Sequence, residues 1–552
     1  MVYPFELPTT SHLSFHAHIS SHTHPSLPQS ASTARHALRL ALKAHTRLPR
    51  GPQRDAHLTS VLSALNDYLP YLVAIAQGLN INSQPPIEPP PAPGAQITAI
   101  QCTDLEPEWR ASLASSSSLH LKSRPTASSG RTRGPGIPYE LAFTLTTLGY
   151  VVSGLARAAV TRTLYAACTP TPEQRSAAVQ SATKHLLQAS AVHALLASSS
   201  SSSSSYFTAQ LAQTPRLPPD LAPATQAALS SLALAEATLL AVLKDDSYMA
   251  ACIQARNPND REWMVKAPEI PKVRAHLFAR LCIRAAEYAE QAATGLGSVG
   301  ADGKGAAAVE EDLVRYARVL GLVARARACR FFGVDAELAG KIGEAIAWLR
   351  AAKGVLGLRG AVAVAAAAAA AAAGGGGGPK ESATKSRGGL SKLKQGWMER
   401  REDRRMEKDA GGGRERSERG EFGPGDNAGR EEEGRVLEML ETKWVRMNDT
   451  VSCACCSLEP EMTCADQQIN TQLIPSSTDL LASLPSGRDI HSPPPPYKLP
   501  ALDEEHLVQM RAPPTEPELH GGSDLEESDG EGVPGGRDTR GAVPERTDSA
   551  YY

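Results

Sequence analysis

Aromatic residues are scarce in this sequence: Phe, Trp and Tyr together make up 5% of its 552 residues. A hydrophobic core must therefore be built mainly from Leu, Ala and Val. The 44 Gly and 41 Pro lie largely outside the periodic segments, which is typical of a folded region joined to long low-complexity stretches. The length predicts two to four structural units.

The sequence also lacks a large excess of either charge. A net charge of -2 and an isoelectric point near 6.7 exclude the general basic field of non-specific nucleic-acid binding, so no nucleic-acid partner is expected. The longest uncharged apolar runs, Leu141 to Leu155 and Ala361 to Ala373, are shorter than the roughly 18 to 20 residues of a membrane span. Residues 1–24 lack the pattern of a secretory signal. These features predict a cytoplasmic protein.

The common catalytic motifs are missing as well. The sequence contains no phosphate-binding loop, no dinucleotide fingerprint, no metalloprotease helix and no nucleophile elbow. The pair Asp245 and Asp246 is more typical of a solvated helix end than of an acid/base couple. Histidines near the N-terminus could bind a metal or belong to a low-complexity segment, and the C-x-C-C-x7-C cysteine cluster matches no zinc pattern. The sequence therefore predicts no enzyme, no cofactor and no metal site; the residues concerned are His12, His16, His18, His22, His24, Cys453, Cys455, Cys456 and Cys464.

Helical periodicity fills most of residues 1–358. Loops are expected at 84–94 and 115–138, and Pro70 is expected to kink or break the second helix. No strand alternation of note is present. The pattern predicts a mainly α chain, an array of about eight helices with a solenoid core like that of tetratricopeptide repeats. The predicted helices cover 34–48, 57–79, 139–165, 172–196, 220–244, 272–293, 310–332 and 339–355.

The amino-acid composition changes after residue 358. Residues 359–390 form an Ala/Gly-rich linker or insertion, and 391–500 contain charged helices, one of them predicted at Arg430–Asn448. Residues 501–552 carry 13 acidic and 4 basic residues and are predicted to be a disordered acidic tail. The basic stretch 392–405 could bind anionic lipid or RNA, or form a solvated charged helix. Pro494–Tyr497 fits the P-P-x-Y form bound by WW domains, or a plain proline-rich linker.

Three helical segments resemble the BRO1 domain family. They are LSSLALAEATLLAVLK at Leu229–Lys244, GKIGEAIAWLRAA at Gly340–Ala352, and the early core helix at Tyr139–Ala156. With LPTT at Leu7–Thr10, the resemblance is greatest to the fungal pH-response regulators of the family. It covers most of residues 4–358 and resumes from about 390 to 500, which predicts a BRO1-like helical domain at 1–358 and its closing segment within 391–500.

This resemblance implies a non-catalytic adaptor. BRO1 domains of endosomal-sorting adaptors bind a C-terminal amphipathic helix of the polymer-forming ESCRT-III subunit. For the pH-response regulators it implies a scaffold that supports proteolytic activation of a zinc-finger transcription factor at alkaline pH. The expected location is cytoplasmic, with peripheral recruitment to an endosomal or plasma-membrane complex that senses pH. The alternative is a membrane-surface or RNA-binding protein that acts through residues 392–405.

A partner-binding strip is expected from the same resemblance. Helix-in-groove recognition needs a shallow apolar strip with charged edges, and Leu277, Leu281 and Lys244 fit this description. Ala241 stands where relatives often carry a bulky aromatic residue. Plain core packing is the alternative for Leu277 and Leu281.

The segment Val451–Gln468 departs from the family pattern. Relatives would run directly from Asn448–Thr450 to Ile469–Pro475, whereas 18 residues containing all four clustered cysteines intervene here. Its ends could be encoded by splice-like sequences, so we hypothesise a retained intron. Sequencing of the mature transcript tests this hypothesis.

Overall fold

The structure is a computed structural model that describes residues 2–81, 97–114, 131–166, 170–198, 217–254, 272–299, 308–358, 427–454, 472–490 and 494–512. Over these residues the chain is mainly α, as the sequence predicts. The helices are α1 (Leu27–Arg47), α2 (Pro52–Ile81), α3 (Gly136–Leu164), α4 (Pro172–Ala197), α5 (Pro223–Leu243), α6 (Ser247–Gln254), α7 (Lys272–Ser298), α8 (Glu311–Leu338), α9 (Ile342–Val355), α10 (Arg430–Ala454), α11 (Ser477–Ala482) and α12 (Glu504–Met510).

The long helices pack in chain order. The main contacts run from α1 to α2, α3, α4, α5, α7, α8, α9 and α10, each helix lying against the next. This serial arrangement is the solenoid-like array that the periodicity predicts. Alanine side chains at the helix contacts are fully buried along α5, α7 and α8, so the helix backbones approach closely.

Among the residues described before α3 are five short strands, which the sequence did not predict. They are β1 (Thr9–Thr10), β2 (Ile19–Ser20), β3 (Ile100–Gln101), β4 (Glu108–Arg110) and β5 (Arg131–Arg133). An antiparallel sheet has the order β1-β4-β5, and β2 pairs with β3. Strands of two or three residues are too short to show a periodicity of two in the sequence, which explains the omission.

The N-terminal segment and two predicted boundaries need correction. Residues 9–20 are part of the fold and not a low-complexity segment, because they contain β1, β2 and the fully buried Phe15. The loop predicted at 115–138 ends earlier, since β5 and the start of α3 lie within it. Helix α2 continues through Pro70, so the proline does not break it. Removing one backbone hydrogen bond is offset by packing, because Leu69 and Leu72 beside it are fully buried.

In the described part of the chain, three helices are long and apolar enough to cross a membrane by length and composition alone. They lie at Pro52–Leu79, Gly136–Leu164 and Pro223–Leu243, and 50%, 78% and 72% of their most apolar windows are buried inside the protein. The uncharged runs in the sequence are shorter than these helices, because charged residues such as Glu140 and Glu236 interrupt them. In this fold the first two helices pack against each other, and the third packs against α4 and α7.

The fold continues beyond residue 358. Helix α10 packs on α9, α8 and α6, and its Val436, Leu440 and Trp444 are fully buried. Its N-terminus returns to the end of α9, where Arg430 Nη2 donates to the Leu356 carbonyl at 2.7 Å. The described segments on the two sides of residues 359–426 therefore end and begin at neighbouring points.

Part of the acidic tail predicted to be disordered is packed. Residues 504–510 form α12, Met510 is buried, and Leu502 and Leu507 pack against the core. The Ala512 N–H donates to the Thr23 carbonyl at 2.8 Å, which fixes this end beside the start of α1. The apolar spacing of Leu502, Leu507 and Met510 was hidden in a composition dominated by acidic residues. Residues 513–552 lie outside the described part of the chain.

Candidate functional site

A groove of about 470 Å³ lies between α4 and the C-terminal end of α5. Its α4 wall is formed by residues at intervals of three and four, which share one helix face. Most of the lining surface is apolar. The residues around it are Val179, Gln180, Thr183, Lys184, Leu187, Ala241, Lys244, Asp245 and Ile490.

The charges at the groove lie at its edges. Lys184 on α4 is exposed, and Lys244, the C-cap of α5, is half-buried. The one carboxylate in the lining, Asp245, lies 3.6 Å from Arg274 at the start of α7. Both members of this ion pair are about half exposed, so water screens the pair. The two lysines leave the groove with a cationic rim around an apolar floor.

Two of the four predicted strip residues lie in the groove. Ala241 and Lys244 line it, and the small side chain of Ala241 leaves open space where a bulky aromatic residue would stand. Leu277 is half-buried against the core and is not among the lining residues. Of the predicted strip, the two α5 residues therefore line the groove and Leu277 of α7 does not, and a role of the strip in partner binding stays a prediction.

Leu281 does not belong to a surface strip. Its side chain is 1% exposed, so it belongs to the core, which was the alternative for this residue. Helix α7 lies between α5 and α8 and buries a wide face, including Ala279, Cys282 and Ala285. The spacing of four between Leu277 and Leu281 identifies a common face of α7 but not which end of that face reaches solvent.

Sequence reasoning missed the α4 wall and Ile490. The signal for the wall was available, because Val179, Thr183 and Leu187 follow one another at intervals of four. No local signal pointed to Ile490, which lies more than 240 residues further along the chain than Ala241 and is still 45% exposed. Its place at the groove depends on the path of the chain before it.

That path is a closing segment, residues 472–490, which runs from α9 across α7. At its start the Gln472 side chain accepts from the Gly343 N–H at 3.1 Å and donates to the Gly340 carbonyl at 2.9 Å. A Cβ at Gly343 would lie 2.5 Å from the Leu473 carbonyl oxygen. Gly343, the second glycine of the G-K-I-G-E motif, therefore permits the closing segment to approach α9.

Charged contacts fix the end of the closing segment on α7. Arg284 Nε donates to Asp489 at 2.8 Å, and the Tyr288 hydroxyl donates to the same carboxylate oxygen at 2.7 Å. Burial favours a higher pKa for Asp489, but these hydrogen bonds and the positive charge of Arg284 outweigh that effect. The pKa of Asp489 therefore lies below its ordinary value. The Arg488 N–H donates to the Arg280 carbonyl at 3.1 Å. These contacts deliver Ile490 to the rim of the groove.

Other predicted features have different outcomes. In the described residues no group of three His, Cys, Asp or Glu is arranged to hold a metal ion. In the P-P-x-Y segment, Tyr497 is half-buried against the core and burial raises its pKa. A WW domain would have to displace this tyrosine, and that partner stays a prediction. The basic stretch 392–405 and most of Val451–Gln468 lie outside the described residues, so both hypotheses about them stay untested.

The comparison with known proteins decides the family. The pH-response regulator protein palC of Emericella nidulans is 66% identical over 556 residues, and the match covers 100% of both chains. This chain belongs to the palC family of pH-response regulators. The resemblance to the fungal pH-response regulators is thereby confirmed, and the palC family assignment covers the segments on both sides of residues 359–426.

Two solved structures are also similar to this palC-family chain. A complex of the ALIX BRO1 domain with CHMP4C has 15% identity and a TM-score of 0.38 over 68% of this chain and 86% of that one. A Bro1 domain studied for endosomal targeting has 12% identity and a TM-score of 0.39 over 87% and 94%. The names of both structures include the Bro1 domain, the family that this sequence resembles. TM-scores below 0.5 are too low to transfer positions to this chain. No family model matches the sequence.

Proposed function

We propose that this protein is a non-catalytic adaptor of the response to alkaline ambient pH. In this proposal its BRO1-like helical array binds the C-terminal amphipathic helix of a polymer-forming ESCRT-III subunit. It thereby supports proteolytic activation of a zinc-finger transcription factor. Full-length identity of 66% to a pH-response regulator supports the assignment to pH signalling. The proposed place of action is the cytoplasmic face of an endosomal or plasma-membrane complex.

The groove between α4 and α5 is the observation that carries the binding proposal. An amphipathic helix buries its apolar face in such a groove through side chains at intervals of three, four and seven. The floor beside Ala241 has room for one large apolar side chain of the partner. Lys184 and Lys244 can then face acidic residues on the flanks of that helix, which adds orientation more than affinity.

The helices around the groove are joined by packing and by hydrogen bonds. Helix α4 packs against α3 and against α5. Ser190 and Ser230 join α4 to α5 through hydroxyls 2.8 Å apart, and His193 Nδ1 lies 2.7 Å from Gln226 Oε1. A groove held in shape before binding loses less conformational entropy when the partner arrives.

Ala241→Asp tests the groove directly. A carboxylate on the groove floor must be desolvated under the partner helix, and we expect Kd for a synthetic ESCRT-III C-terminal helix to rise at least tenfold. Ala56→Asp is the matched control, because Ala56 is an exposed alanine of α2 outside the groove. Calorimetric titration measures Kd, and circular dichroism with thermal melting checks folding. Unchanged affinity in a folded Ala241→Asp variant would rule out this groove as the binding site.

A cellular experiment separates the signalling role from the groove. A strain that lacks the protein should fail to grow at alkaline pH and fail to process the transcription factor. The wild-type chain and Ala56→Asp should restore both, whereas Ala241→Asp should restore neither. Normal processing in the deletion strain contradicts the adaptor role, and restoration by Ala241→Asp contradicts only the groove.

A further inference from the structure

A row of basic residues on the outer face of α1 has no part in the groove. Arg39, Lys43 and Arg47 are spaced by four residues and share one helix face, about 100° around the helix from the buried Leu38 and Leu42. Arg47 is exposed, and Arg39 and Lys43 are half exposed. We call these three residues, together with Arg131 of β5, the basic stripe.

Three of the four charges of the stripe, those of Arg39, Lys43 and Arg47, have no ion-pair partner among the described residues. The pKa of Lys43 is lowered, chiefly by the positive charge of Arg39 and also by Arg131 and Arg47, so four cations lie close together. The exception is Arg131, which lies 3.6 Å from Glu108 of β4, a carboxylate that also lies 3.8 Å from Arg133. The structure describes no ion pair for Arg39, Lys43 or Arg47, and the Arg39 Nε atom is shielded from water with no hydrogen-bond partner. An anionic partner would relieve this repulsion.

The described chain ends beside the start of the same helix. Ala512 is bonded to the Thr23 carbonyl, and Thr23 lies four residues before α1 begins at Leu27. The neighbouring Arg511 is close enough to His24 to help lower its pKa, after the larger effect of burial. Everything beyond Ala512 therefore departs from a point next to the N-terminal end of α1.

The sequence that departs from this point is strongly acidic. Residues 516–531 contain seven carboxylates and no Lys or Arg, and they begin only four residues after Ala512. The carboxylates are those of Glu516, Glu518, Asp524, Glu526, Glu527, Asp529 and Glu531.

We propose that the acidic segment 516–531 docks on the basic stripe of its own chain. Reach is sufficient: Arg39 lies about 18 Å along α1 from Leu27 at 1.5 Å per residue. An extended chain covers about 40 Å between Ala512 and Asp524 at roughly 3.3 Å per residue. Because the tail is anchored within reach of the stripe, its effective local concentration is high, and weak exposed charge pairs can add up.

The docking has a consequence for partners of the stripe. An anionic membrane or another acidic protein would have to compete with the tethered segment. The chain would then expose its basic stripe only when the tail is displaced, for example by a cationic surface or by high salt. The tail would thus protect the stripe from non-specific anionic contacts.

Zero-length carbodiimide cross-linking of the full chain tests the proposal, because it joins the Lys43 Nζ only to a carboxylate in contact. Lys341 serves as the reference amine, since it is 66% exposed and lies far along the chain beside Glu344. At low salt we expect cross-links from 516–531 to Lys43 at least fivefold more often than to Lys341. Arg47→Glu and 0.5 M NaCl should each remove this preference, and the control Arg315→Glu, at an exposed site on α8, should not.

An equal mixture of nitrogen-15 and nitrogen-14 chains separates contacts within one chain from contacts between copies. Cross-links within one isotope class support the proposal. Mixed-isotope cross-links to Lys43 would show that the stripe meets a second copy and would overturn it. Equal labelling of Lys43 and Lys341 would overturn it as well. So would sedimentation of the full chain with phosphatidylserine vesicles, abolished by Arg47→Glu, in the absence of a Lys43 cross-link.

Discussion

Two buried ion clusters hold the two ends of this helical array, and they are built differently. The N-terminal cluster centres on Arg35 of α1 and Glu140 of α3, with side chains 1% and 0% exposed. The C-terminal cluster joins Arg327 and Arg330 of α8 to Asp246 and Glu433, all at 0% exposure. The first draws on residues 10–140. The second is completed only by Glu433, which lies beyond the Ala/Gly-rich region.

The N-terminal cluster is fully hydrogen-bonded. Glu140 accepts from Arg35 Nε at 2.8 Å, from the Tyr68 hydroxyl at 3.0 Å and from Trp109 Nε1 at 2.7 Å. Arg35 Nη1 donates to the Ser11 carbonyl at 2.7 Å. One cation thus faces one anion, and neutral groups satisfy the remaining donors and lone pairs, which is the condition for a tolerable buried pair.

The C-terminal cluster is less complete. Glu433 accepts from Arg330 Nε at 2.6 Å and from Arg327 Nε at 2.9 Å, and Arg330 also binds Asp246. Although burial opposes it, the guanidinium of Arg330 lowers the pKa of Asp246. Both Nη atoms of Arg327 lack a hydrogen-bond partner among the described residues. Glu433 thus serves two guanidiniums, so α10 supplies one of the two carboxylates of this cluster.

Glu433→Gln should produce the largest loss. It leaves the buried charge of Arg327 without a carboxylate in contact, and breaking a buried pair in this way costs about 3 to 5 kcal/mol. Urea unfolding followed by circular dichroism measures the change in the free energy of unfolding. Glu431→Gln, in the exposed first turn of the same helix, is the matched control and should change it by less than about 0.5 kcal/mol. Equal stability of the two variants would contradict the role assigned to α10.

Glu140→Gln should cost somewhat less, about 3 kcal/mol, because Arg35 keeps the Ser11 carbonyl and the Gln side chain can still accept from one neighbour. The same unfolding experiment measures it. Adding Arg35→Met should recover part of the loss, since the unpaired charge is then removed. If the double variant is less stable than Glu140→Gln alone, the pair contributes more through its neutral partners than through its charges.

Glu236→Gln tests a buried carboxylate that differs from those of the two clusters, because its hydrogen bonds from the described residues come from neutral donors. Glu236 accepts from the Tyr3 N–H at 2.9 Å and from the Tyr316 hydroxyl at 2.8 Å, and burial raises its pKa to about 7. The folded state therefore holds a proton that the unfolded state loses at an ordinary pKa near 4.5. The wild-type chain should thus lose about 2 to 3 kcal/mol of stability as pH rises from 5 to 8.

The Gln variant should lack this part of the pH dependence, because it cannot ionise. Urea unfolding at pH 5, 6, 7 and 8 compares the two chains, and their difference should grow in favour of Glu236→Gln as pH rises. A parallel pH dependence in both chains would show that the carboxyl of Glu236 ionises at the same pH in the folded and unfolded states.

The clusters also show where sequence reasoning succeeds. Long helices such as α3, α4 and α7 were predictable because their apolar spacing is sustained over more than 20 residues. Asp246 was not: its sequence suggested a solvated helix end, yet its side chain is fully buried against Arg330. Local sequence cannot show which charged residue meets a partner about 84 positions away, and polar burial is decided by that partner.

The candidate site divides in the same way. Ala241 and Lys244 were predicted through a resemblance on a single helix, α5; both line the groove, and their role in binding stays a prediction. Leu281 was misplaced because its exposure depends on α8, which packs on the other side of α7. Ile490 could not be predicted, since it arrives through the closing segment, where a Cβ at Gly487 would lie 2.7 Å from the Arg284 backbone. Long-range closure of the chain sets the site, and single-helix patterns do not record it.

Shortening residues 359–426, which connect Leu358 to the segment before α10, should change the free energy of unfolding least. It should increase this free energy, whereas the substitutions in the ion clusters lower it. The ends of this connection are adjacent: Arg430 bonds the Leu356 carbonyl, and a Cβ at Gly434 would lie 3.0 Å from Leu358 Cδ1. If the only role of 359–426 is to connect these ends, its cost is loop-closure entropy. This entropy grows as about 1.5 RT times the logarithm of loop length.

Replacing these 68 residues with a Gly/Ser linker of about 12 should therefore raise the free energy of unfolding by about 1.5 kcal/mol. Urea unfolding measures it, and Glu433→Gln in the shortened chain should still cost about 3 to 5 kcal/mol, since α10 docks as before. A linker with the same 68-residue length but a Gly/Ser composition is the control. Destabilisation by both replacements would mean that 359–426 contribute packing of their own to the array. Destabilisation by the short linker alone would mean that the return of α10 needs a longer path than its adjacent ends suggest.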